Sequence, residues 1–253
     1  MEKIIEYLKN GVNKEEFIKL FSDYHIFEFD ALFDILSFQG LPLIIKDDKV
    51  FLKTSITNYQ DSEYCVVDIE VNNSKPKEGQ VIEIGAVKIK NMQIKETFDA
   101  LIYAKDVPIY VERVTGINKS MLKNKKSQKE ILKEFRLFLK DSVFVAHAAD
   151  FDFNFLDYQF EKENLGRLLN RHLCTITLSQ KTIKAQRYGL KYLKEELNLP
   201  KEIDHRALSD ALTTARLFLI GVKNLPDNII TTEDLIEFAK PNKSKKKKKK
   251  SNG

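Results

Sequence analysis

The sequence predicts an α/β protein in which a mixed β-sheet is flanked by helices and preceded by a small helical module. From residue 64 onward, apolar strand-like runs alternate with amphipathic helical stretches. Residues 1–55 differ, because they combine short helical stretches with two closely spaced apolar runs. The chain has 253 residues and a hydrophobic fraction of 43%, so it can bury one large core and a smaller second one.

The N-terminal module is predicted from three amphipathic stretches, "EKIIEYLKN", "KEEFIKLFS" and "EFDALFDILSF", and from a hairpin in "LPLIIKDDKVFLKT" that turns at Asp47 and Asp48. Three helices and a hairpin are typical of a winged-helix-like module. Residues 1–60 carry 7 Lys and 10 acidic residues, a net charge of −3. This charge argues against a DNA-binding regulator and favours a packing or protein-contact role. Residues 56–63, "ITNYQDSE", are predicted as a linker.

The larger domain, residues 64–222, is predicted to begin with an antiparallel meander of the strands "YCVVDIEV", "VIEIGAVKIK" and "IKETFDALIYA". A helix follows over about residues 127–140, with Ser127 as its N-cap and Glu130 completing a capping box. The remaining predicted elements are a strand in "SVFVAHA", a helix in "DFNFLDYQFEKENL" and helices over about residues 176–184, 189–197 and 206–220.

The C-terminal tail, residues 223–253, is predicted to hold a short helix in "TTEDLIEFAKP" and then a disordered lysine run. The formal net charge of the chain is +5, but residues 243–253 alone carry seven Lys. Without them, 35 basic and 37 acidic residues remain, a net charge of −2. The body is therefore not basic overall. The run either adds salt-dependent attraction to phosphates or serves only as a solubilising terminus.

Cysteine usage and hydropathy indicate a soluble protein of the cytoplasm. Cys65 and Cys174 form no CxxC pair and no Cys/His cluster of zinc spacing, so we expect free thiols. No apolar run approaches the roughly 20 residues needed to cross a bilayer, and "MEKIIEYLKN" does not resemble a signal peptide.

Two carboxylates interrupt the buried strand "VVDIEV", residues 66–71. Because the side-chain period of a strand is two, Asp68 and Glu70 point to the same side, about 7 Å apart. Two like charges in a core strand repel each other unless a cation lies between them. The strand therefore predicts a cation site.

Acids recur at two later junctions. Asp150 and Asp152 lie where the strand in "VAHAADFDFNFL" gives way to a helix, and His205 precedes Asp210 at the start of the helix in "IDHRALSDALTTARLFL". Taken alone, each junction is explained at least as well by helix capping and the helix dipole as by a functional site. Their combination with the strand pair favours one shared site.

In this order, DxE, FD and a spaced His and Asp resemble the DEDD superfamily of 3′ to 5′ exonucleases, over about residues 64–222. The histidine resembles that of the DEDDh branch, which includes the proofreading epsilon subunit of bacterial DNA polymerase III. The resemblance implies a ribonuclease H-like fold. Its four acids fall on Asp68, Glu70, Asp152 and Asp210, and its histidine on His205.

The implied cofactors are two divalent ions, Mg²⁺ or Mn²⁺, which prefer oxygen ligands and stabilise the attacking and leaving oxygens of a phosphodiester. By resemblance Asp68 bridges both ions, while Glu70 and Asp210 help to hold one. Asp152 helps to hold the second or acts through a water molecule; it is chosen over Asp150 because it directly follows Phe151. His205 is the expected general base, since its unperturbed pKa lies near neutrality.

Two departures from the family pattern concern the nucleotide contacts. Val71, Asn72 and Asn73 follow the DxE where polymerase-type members have Thr-Thr-Gly, and the second motif reads His-Ala-Ala instead of His-Asn-Ala. In "YVERVTGI", residues 110–117, the match implies that Tyr110 and Thr115 approach the terminal nucleotide, although a turn at Gly116 explains it nearly as well. The substrate-binding candidates are Asp68, Glu70, Val71, Tyr110, Thr115 and His147, the last of which also suits a purely structural histidine.

We therefore expect a metal-dependent 3′ to 5′ exonuclease, with DNA favoured through the resemblance to epsilon. The alternatives are RNA trimming and a non-catalytic interaction module on the same fold, although the module is disfavoured because all four acids and the histidine are present. The expected partners are a single-stranded 3′ end and a DNA polymerase subunit, with no membrane.

Overall fold

The protein is described by a computed structural model that covers residues 1–200 and 205–241. The N-terminal module contains three helices and an antiparallel hairpin, as predicted, followed by a short helix. Phe17, Leu32 and Leu36 lie in its own buried core. Its elements are α1 (Glu2–Asn10), α2 (Lys14–Leu20), α3 (Phe29–Phe38), β1 (Leu43–Lys46), β2 (Lys49–Leu52) and α4 (Lys53–Ile56).

A five-stranded mixed sheet follows, in the order β5-β4-β3-β6-β7. The first three strands form the predicted antiparallel meander, and β6 and β7 extend the sheet in parallel with β3. The strands are β3 (Tyr64–Val71), β4 (Val81–Lys90), β5 (Gln93–Leu101), β6 (Val143–Ala146) and β7 (His172–Cys174).

Helices cover both faces of this sheet, which confirms the predicted α/β class. The capping box of Ser127 and Glu130 opens α7 as predicted, because each residue bonds the backbone of the other. The helices are α5 (Ile109–Thr115), α6 (Lys119–Leu122), α7 (Gln128–Leu139), α8 (Ala149–Lys162), α9 (Thr175–Thr182), α10 (Leu190–Glu196), α11 (Ala207–Lys223) and α12 (Thr232–Phe238).

Strand β3 separates two hydrophobic cores. Val67 and Ile69 face the core that includes α7 and α8, whereas Tyr64 and Val66 face the core of α11 and α12. Since side chains alternate along a strand, Asp68 and Glu70 share the side of Tyr64 and Val66. The first acidic pair is therefore presented toward α11.

The segment predicted as a linker is bonded to the region after α11. Thr232 donates its backbone N–H to the carbonyl of Thr57 at 2.9 Å, and Tyr59 donates to the carbonyl of Ile230 at 3.1 Å. Helix α12, which the tail pattern predicted, begins at this point. Its buried Glu233 binds Thr54 and Arg171, so it links the N-terminal module to β7. The domain boundaries stay a prediction, and the lysine run lies outside the described residues.

Both cysteines are free thiols, Cys65 buried and Cys174 partly buried. Within residues 1–200 and 205–241, no helix combines the length and hydropathy that a membrane span needs.

Candidate active site

Strand β3 delivers Asp68 and Glu70 at its carboxyl end. Both side chains are partly buried. In the antiparallel register Asp68 lies opposite Gly85 and Glu70 lies opposite Glu83, and a β-bulge follows between Glu70 and Val71. The bulge ends regular pairing, as bulges near active sites commonly do.

Asp152 reaches the same place from the first turn of α8. Its side chain is buried, with 5% exposed. The backbone of Ile69, which lies between the two acids of β3, hydrogen-bonds the Asp152 carboxylate and partly offsets the effect of burial on its pKa. Helix α8 begins only three residues before Asp152 because Ala148 adopts a left-handed conformation with φ 84° and turns the chain out of β6.

His205 and Asp210 come from the start of α11. The backbone N–H of His205 donates to Asp210 Oδ2 at 3.0 Å, which holds His205 against the first turn of α11. His205 has a left-handed backbone with φ 59° and an exposed side chain. One ligand atom each of Glu70, His205 and Asp210 lie within 4.8 Å of one another.

The carboxylates of this site disfavour one another's ionisation. Burial, and then the charges of Asp152 and Asp210, raise the pKa of Asp68 well above its ordinary value. Burial, followed by the charges of Glu83 and Asp210, raises the pKa of Glu70 to about 7. Burial raises the pKa of Asp152 to about 8. The arrangement therefore stores electrostatic repulsion that a cation would relieve.

The donor atoms fit hard divalent cations. They are carboxylate oxygens with one imidazole, which is the chemistry that Mg²⁺ and Mn²⁺ accept. The Arg206 guanidinium lowers the pKa of Glu70, but its hydrogen bonds go to Glu83.

Glu83 and Gly85 are two supporting residues that the sequence reasoning missed. Glu83, only 1% exposed, accepts hydrogen bonds from Arg206 and from the backbone N–H of Ala207 at 2.9 Å. A Cβ on Gly85 would lie 2.0 Å from the backbone N of Leu208. The first turn of α11 therefore packs directly on the backbone of β4. A lone acid and a glycine within the apolar run "VIEIGAV" were the available signal.

The structure separates the remaining candidates. His147 is largely buried; its Nδ1 lies 2.9 Å from the Thr175 hydroxyl and its Nε2 lies 3.0 Å from the Tyr188 carbonyl. Burial lowers the pKa of His147 to about 4, so its imidazole is neutral near pH 7. A substrate contact of His147 stays a prediction, as does its structural alternative. Asp150 is exposed, as expected of the residue not chosen.

The predicted nucleotide contacts differ in accessibility. Thr115 is buried, and its hydroxyl donates to the Val111 carbonyl and accepts from the N–H of Ile117, which stabilises the end of α5. Tyr110 is 60% exposed and its hydroxyl lies 3.5 Å from the Asn72 carbonyl, just beyond the DxE. A nucleotide contact of Thr115, Tyr110 or Val71 stays a prediction.

The chain also matches known exonucleases in sequence. The RNase T family model, described as "Exonuclease", covers residues 65–218, more than half of the chain and every predicted acid. The chain belongs to the RNase T exonuclease family. This membership confirms the predicted resemblance to DEDDh exonucleases.

Several relatives in the RNase T exonuclease family are named as replication proteins. The PolC-type DNA polymerase III of Thermotoga maritima is 38% identical over 165 residues, 64% of this chain but 12% of that protein. The DNA polymerase III subunit epsilon of Aquifex aeolicus is 30% identical over 164 residues, 64% of this chain and 81% of that protein. The 3′-5′ exonuclease DinG of Bacillus subtilis is 35% identical over 159 residues, 62% of this chain and 17% of that protein. The chain thus spans only a small part of the PolC-type and DinG relatives.

Solved structures confirm the ribonuclease H-like exonuclease fold. Exonuclease X in complex with 5′ overhanging duplex DNA matches with a TM-score of 0.54 at 19% identity, covering 70% of this chain and 99% of that chain. E. coli Exonuclease I in complex with a dA16 oligonucleotide matches with a TM-score of 0.57 at 12% identity, covering 65% of this chain and 41% of that chain.

Proposed function

We propose that the protein is a metal-dependent 3′ to 5′ exonuclease that acts on DNA. The observation that carries this proposal is the convergence of four carboxylates from β3, α8 and α11. Burial and neighbouring charges raise the pKa values of three of them, Asp68, Glu70 and Asp152. Such an arrangement is costly in an apolar core and is useful only where cations are held. The carboxylates are Asp68, Glu70, Asp152 and Asp210.

In the proposed mechanism, two divalent ions would stabilise charge on the attacking and leaving oxygens when bound. Asp68 would be a ligand shared by both ions, Glu70 and Asp210 would help to hold one, and Asp152 would help to hold the other. His205 is exposed at the rim beside Glu70 and Asp210, where its imidazole can take the proton of an attacking water. Its exposure leaves room for a strand end to approach.

DNA is the proposed substrate because relatives are named as DNA polymerase III proteins and neighbouring structures hold DNA. We propose that a single-stranded 3′ end enters the site, that a DNA polymerase subunit is a partner, and that proofreading or repair in the cytoplasm is the role. Tyr110 and Val71 are proposed nucleotide contacts.

Degradation of labelled strands tests substrate and direction. Purified protein with Mg²⁺ or Mn²⁺ is offered 5′-labelled single-stranded DNA and RNA of equal length. We expect a ladder of progressively shorter labelled DNA and little cleavage of a strand whose 3′ end is blocked. Immediate release of a labelled mononucleotide would show the opposite polarity, and faster RNA degradation would overturn the DNA assignment.

Variants test the site. Asp68→Asn and His205→Asn are each expected to lower kcat by at least about 100-fold, the usual worth of a general base or metal ligand. Asp150→Asn is the matched control, because Asp150 is exposed and lies two residues from Asp152. Activity that survives in both variants would refute the assignment of the acids and the histidine.

A further inference from the structure

A basic cavity lies at the end of the sheet where β3 ends, and it contains none of the predicted site residues. Its volume is about 610 Å³, and three lysines contribute to its wall. Its lining consists of Tyr103, Ala104, Lys105, Lys119, Ser120 and Lys123. A cavity with several ammonium groups, a hydroxyl and an aromatic ring suits a single-stranded nucleic acid, whose phosphates pair with cations and whose bases stack on aromatic rings.

The segment that contains this cavity has a net charge opposite in sign to that of residues 1–242 as a whole. Residues 103–126 hold six basic and two acidic residues, a net charge of +4, whereas residues 1–242 together carry −2. Among the described residues, Lys105 and Lys123 have no ion pair, and Lys119 only approaches Asp106 at 4.0 Å across an exposed surface. These ammonium groups are therefore available to an external anion.

Hydrogen bonds connect the cavity to the DxE strand. Asn72, two residues after Glu70, accepts from the backbone N–H of Gln80 at 2.8 Å. Gln80 in turn donates its side-chain amide to the carbonyl of Tyr103 at 2.7 Å. The cavity is thus held at a fixed position beyond the carboxyl end of β3. The cavity therefore lies at the same end of the sheet as Asp68 and Glu70.

We propose that this basic cavity binds the phosphate backbone of the single strand upstream of the nucleotide being removed. The proposal rests on the proposed exonuclease function and adds a second contact zone to it. Lysines suit this task because a point charge neutralises a phosphate without reading its base. This contact zone accounts for how residues 1–242, whose net charge is −2, hold a polyanion beside four carboxylates.

A triple variant, Lys105→Gln, Lys119→Gln and Lys123→Gln, tests the proposal in the full chain. We expect about tenfold weaker binding of a fluorescent single-stranded oligonucleotide, and a salt dependence of log Kd lower by about 2, as neutralising three phosphates predicts. The matched control is Lys3→Gln, Lys49→Gln and Lys223→Gln, three exposed lysines elsewhere that leave the same total charge. The lysine run is present in both variants, so its contribution cancels.

A small chromogenic substrate, the p-nitrophenyl ester of thymidine 5′-monophosphate, separates this inference from the proposed function. It is too short to reach the cavity, so kcat/KM on it is expected to be unchanged in the triple variant, while kcat/KM on the oligonucleotide falls. Equal binding and salt dependence in the two triple variants would overturn the cavity assignment alone. Failure of the unmodified protein to cleave either substrate would overturn the proposed function instead.

Discussion

Glu83 in β4 and Arg206 before α11 form a two-pronged ion pair. Arg206 Nε lies 3.0 Å and Nη2 lies 2.6 Å from Glu83 Oε1, while Glu83 Oε2 accepts the N–H of Ala207 at 2.9 Å. One carboxylate thus fixes both the residue after His205 and the first turn of the helix that carries Asp210. The pair sets the distance between the later half of the site and β3.

Replacing Glu83 by Gln is expected to disturb the site without touching a metal ligand. The buried carboxylate is lost, and the side chain of Arg206 is 33% exposed and so keeps its access to water. The free energy of unfolding is therefore expected to fall by about 2 kcal/mol, as when a charged hydrogen-bond partner is removed. We also expect kcat to fall about tenfold, because misplacement of catalytic groups is costly. Denaturant unfolding and the nuclease assay measure both, with exposed Glu96→Gln as the control. If Glu83→Gln and Glu96→Gln had the same free energy of unfolding and the same kcat, Glu83 would not be a positioning residue.

Gly85→Ala addresses the close approach of α11 to β4. The added methyl would lie 2.0 Å from the backbone N of Leu208 and 2.1 Å from the carbonyl carbon of Ala207, so the helix must shift. Overpacking of this kind costs about 1–3 kcal/mol, and here it displaces Asp210 from Glu70. We expect nuclease activity to be nearly abolished in protein that is still folded by circular dichroism. In Gly189→Ala the methyl meets Tyr192 at 3.5 Å, an ordinary contact, and activity should persist.

Ala148 carries a conformation that suits glycine. Its φ of 84° costs an L-residue roughly 1–2 kcal/mol. Ala148→Gly is therefore expected to raise the unfolding free energy by about 1 kcal/mol, whereas Ala149→Gly in the helix should lower it by about as much. Thermal unfolding of the two variants decides the matter. Destabilisation by both would mean that Ala148 does not carry this strain.

Metal binding is expected to change the pH dependence of stability. The pKa values of Glu70, about 7, and Asp152, about 8, exceed those of carboxyls in the unfolded chain. The folded state therefore binds protons more tightly, and without metal its stability falls as the pH rises from about 4 through 8. Below pH 4 both states are protonated and the penalty vanishes.

Divalent ions offset this penalty, so the rise in Tm on adding Mg²⁺ or Mn²⁺ in place of a chelator should be small at pH 5. At pH 8 it should reach about 5–10 °C, which corresponds to ligand at about 100 times its Kd. The double variant Asp68→Asn, Asp152→Asn should be more stable than the unmodified protein in chelator at pH 8 and should respond little to metal. A Tm independent of metal at both pH values would contradict a cation site.

The sequence predicted the strands, and it predicted the acids that the structure brings together. It did not predict Glu83 and Gly85, the residues of β4 against which α11 packs. Alternation fixed the meander, and the spacing of Asp68 and Glu70 placed them on one side because side-chain direction in a strand is local. Glu83 and Gly85 were missed because their roles depend on α11, more than 120 residues later in the chain. The start of α8 was placed at Asp152 rather than Ala149, since nothing in the composition signals a left-handed alanine at position 148.

The hydrogen bonds between residues 57–59 and residues 230–232 attach the N-terminal module firmly to the region after α11. Lys9 of α1 forms an ion pair with Glu237 of α12, and Asn58 pairs with Thr231 at the start of α12, so the module contacts this helix at two points. Glu233 of α12 in turn binds Arg171 beside β7, which joins the helix to the sheet. A body fixed at two points cannot swing freely. We therefore expect that any protein bound to this module would hold the exonuclease domain in a fixed orientation.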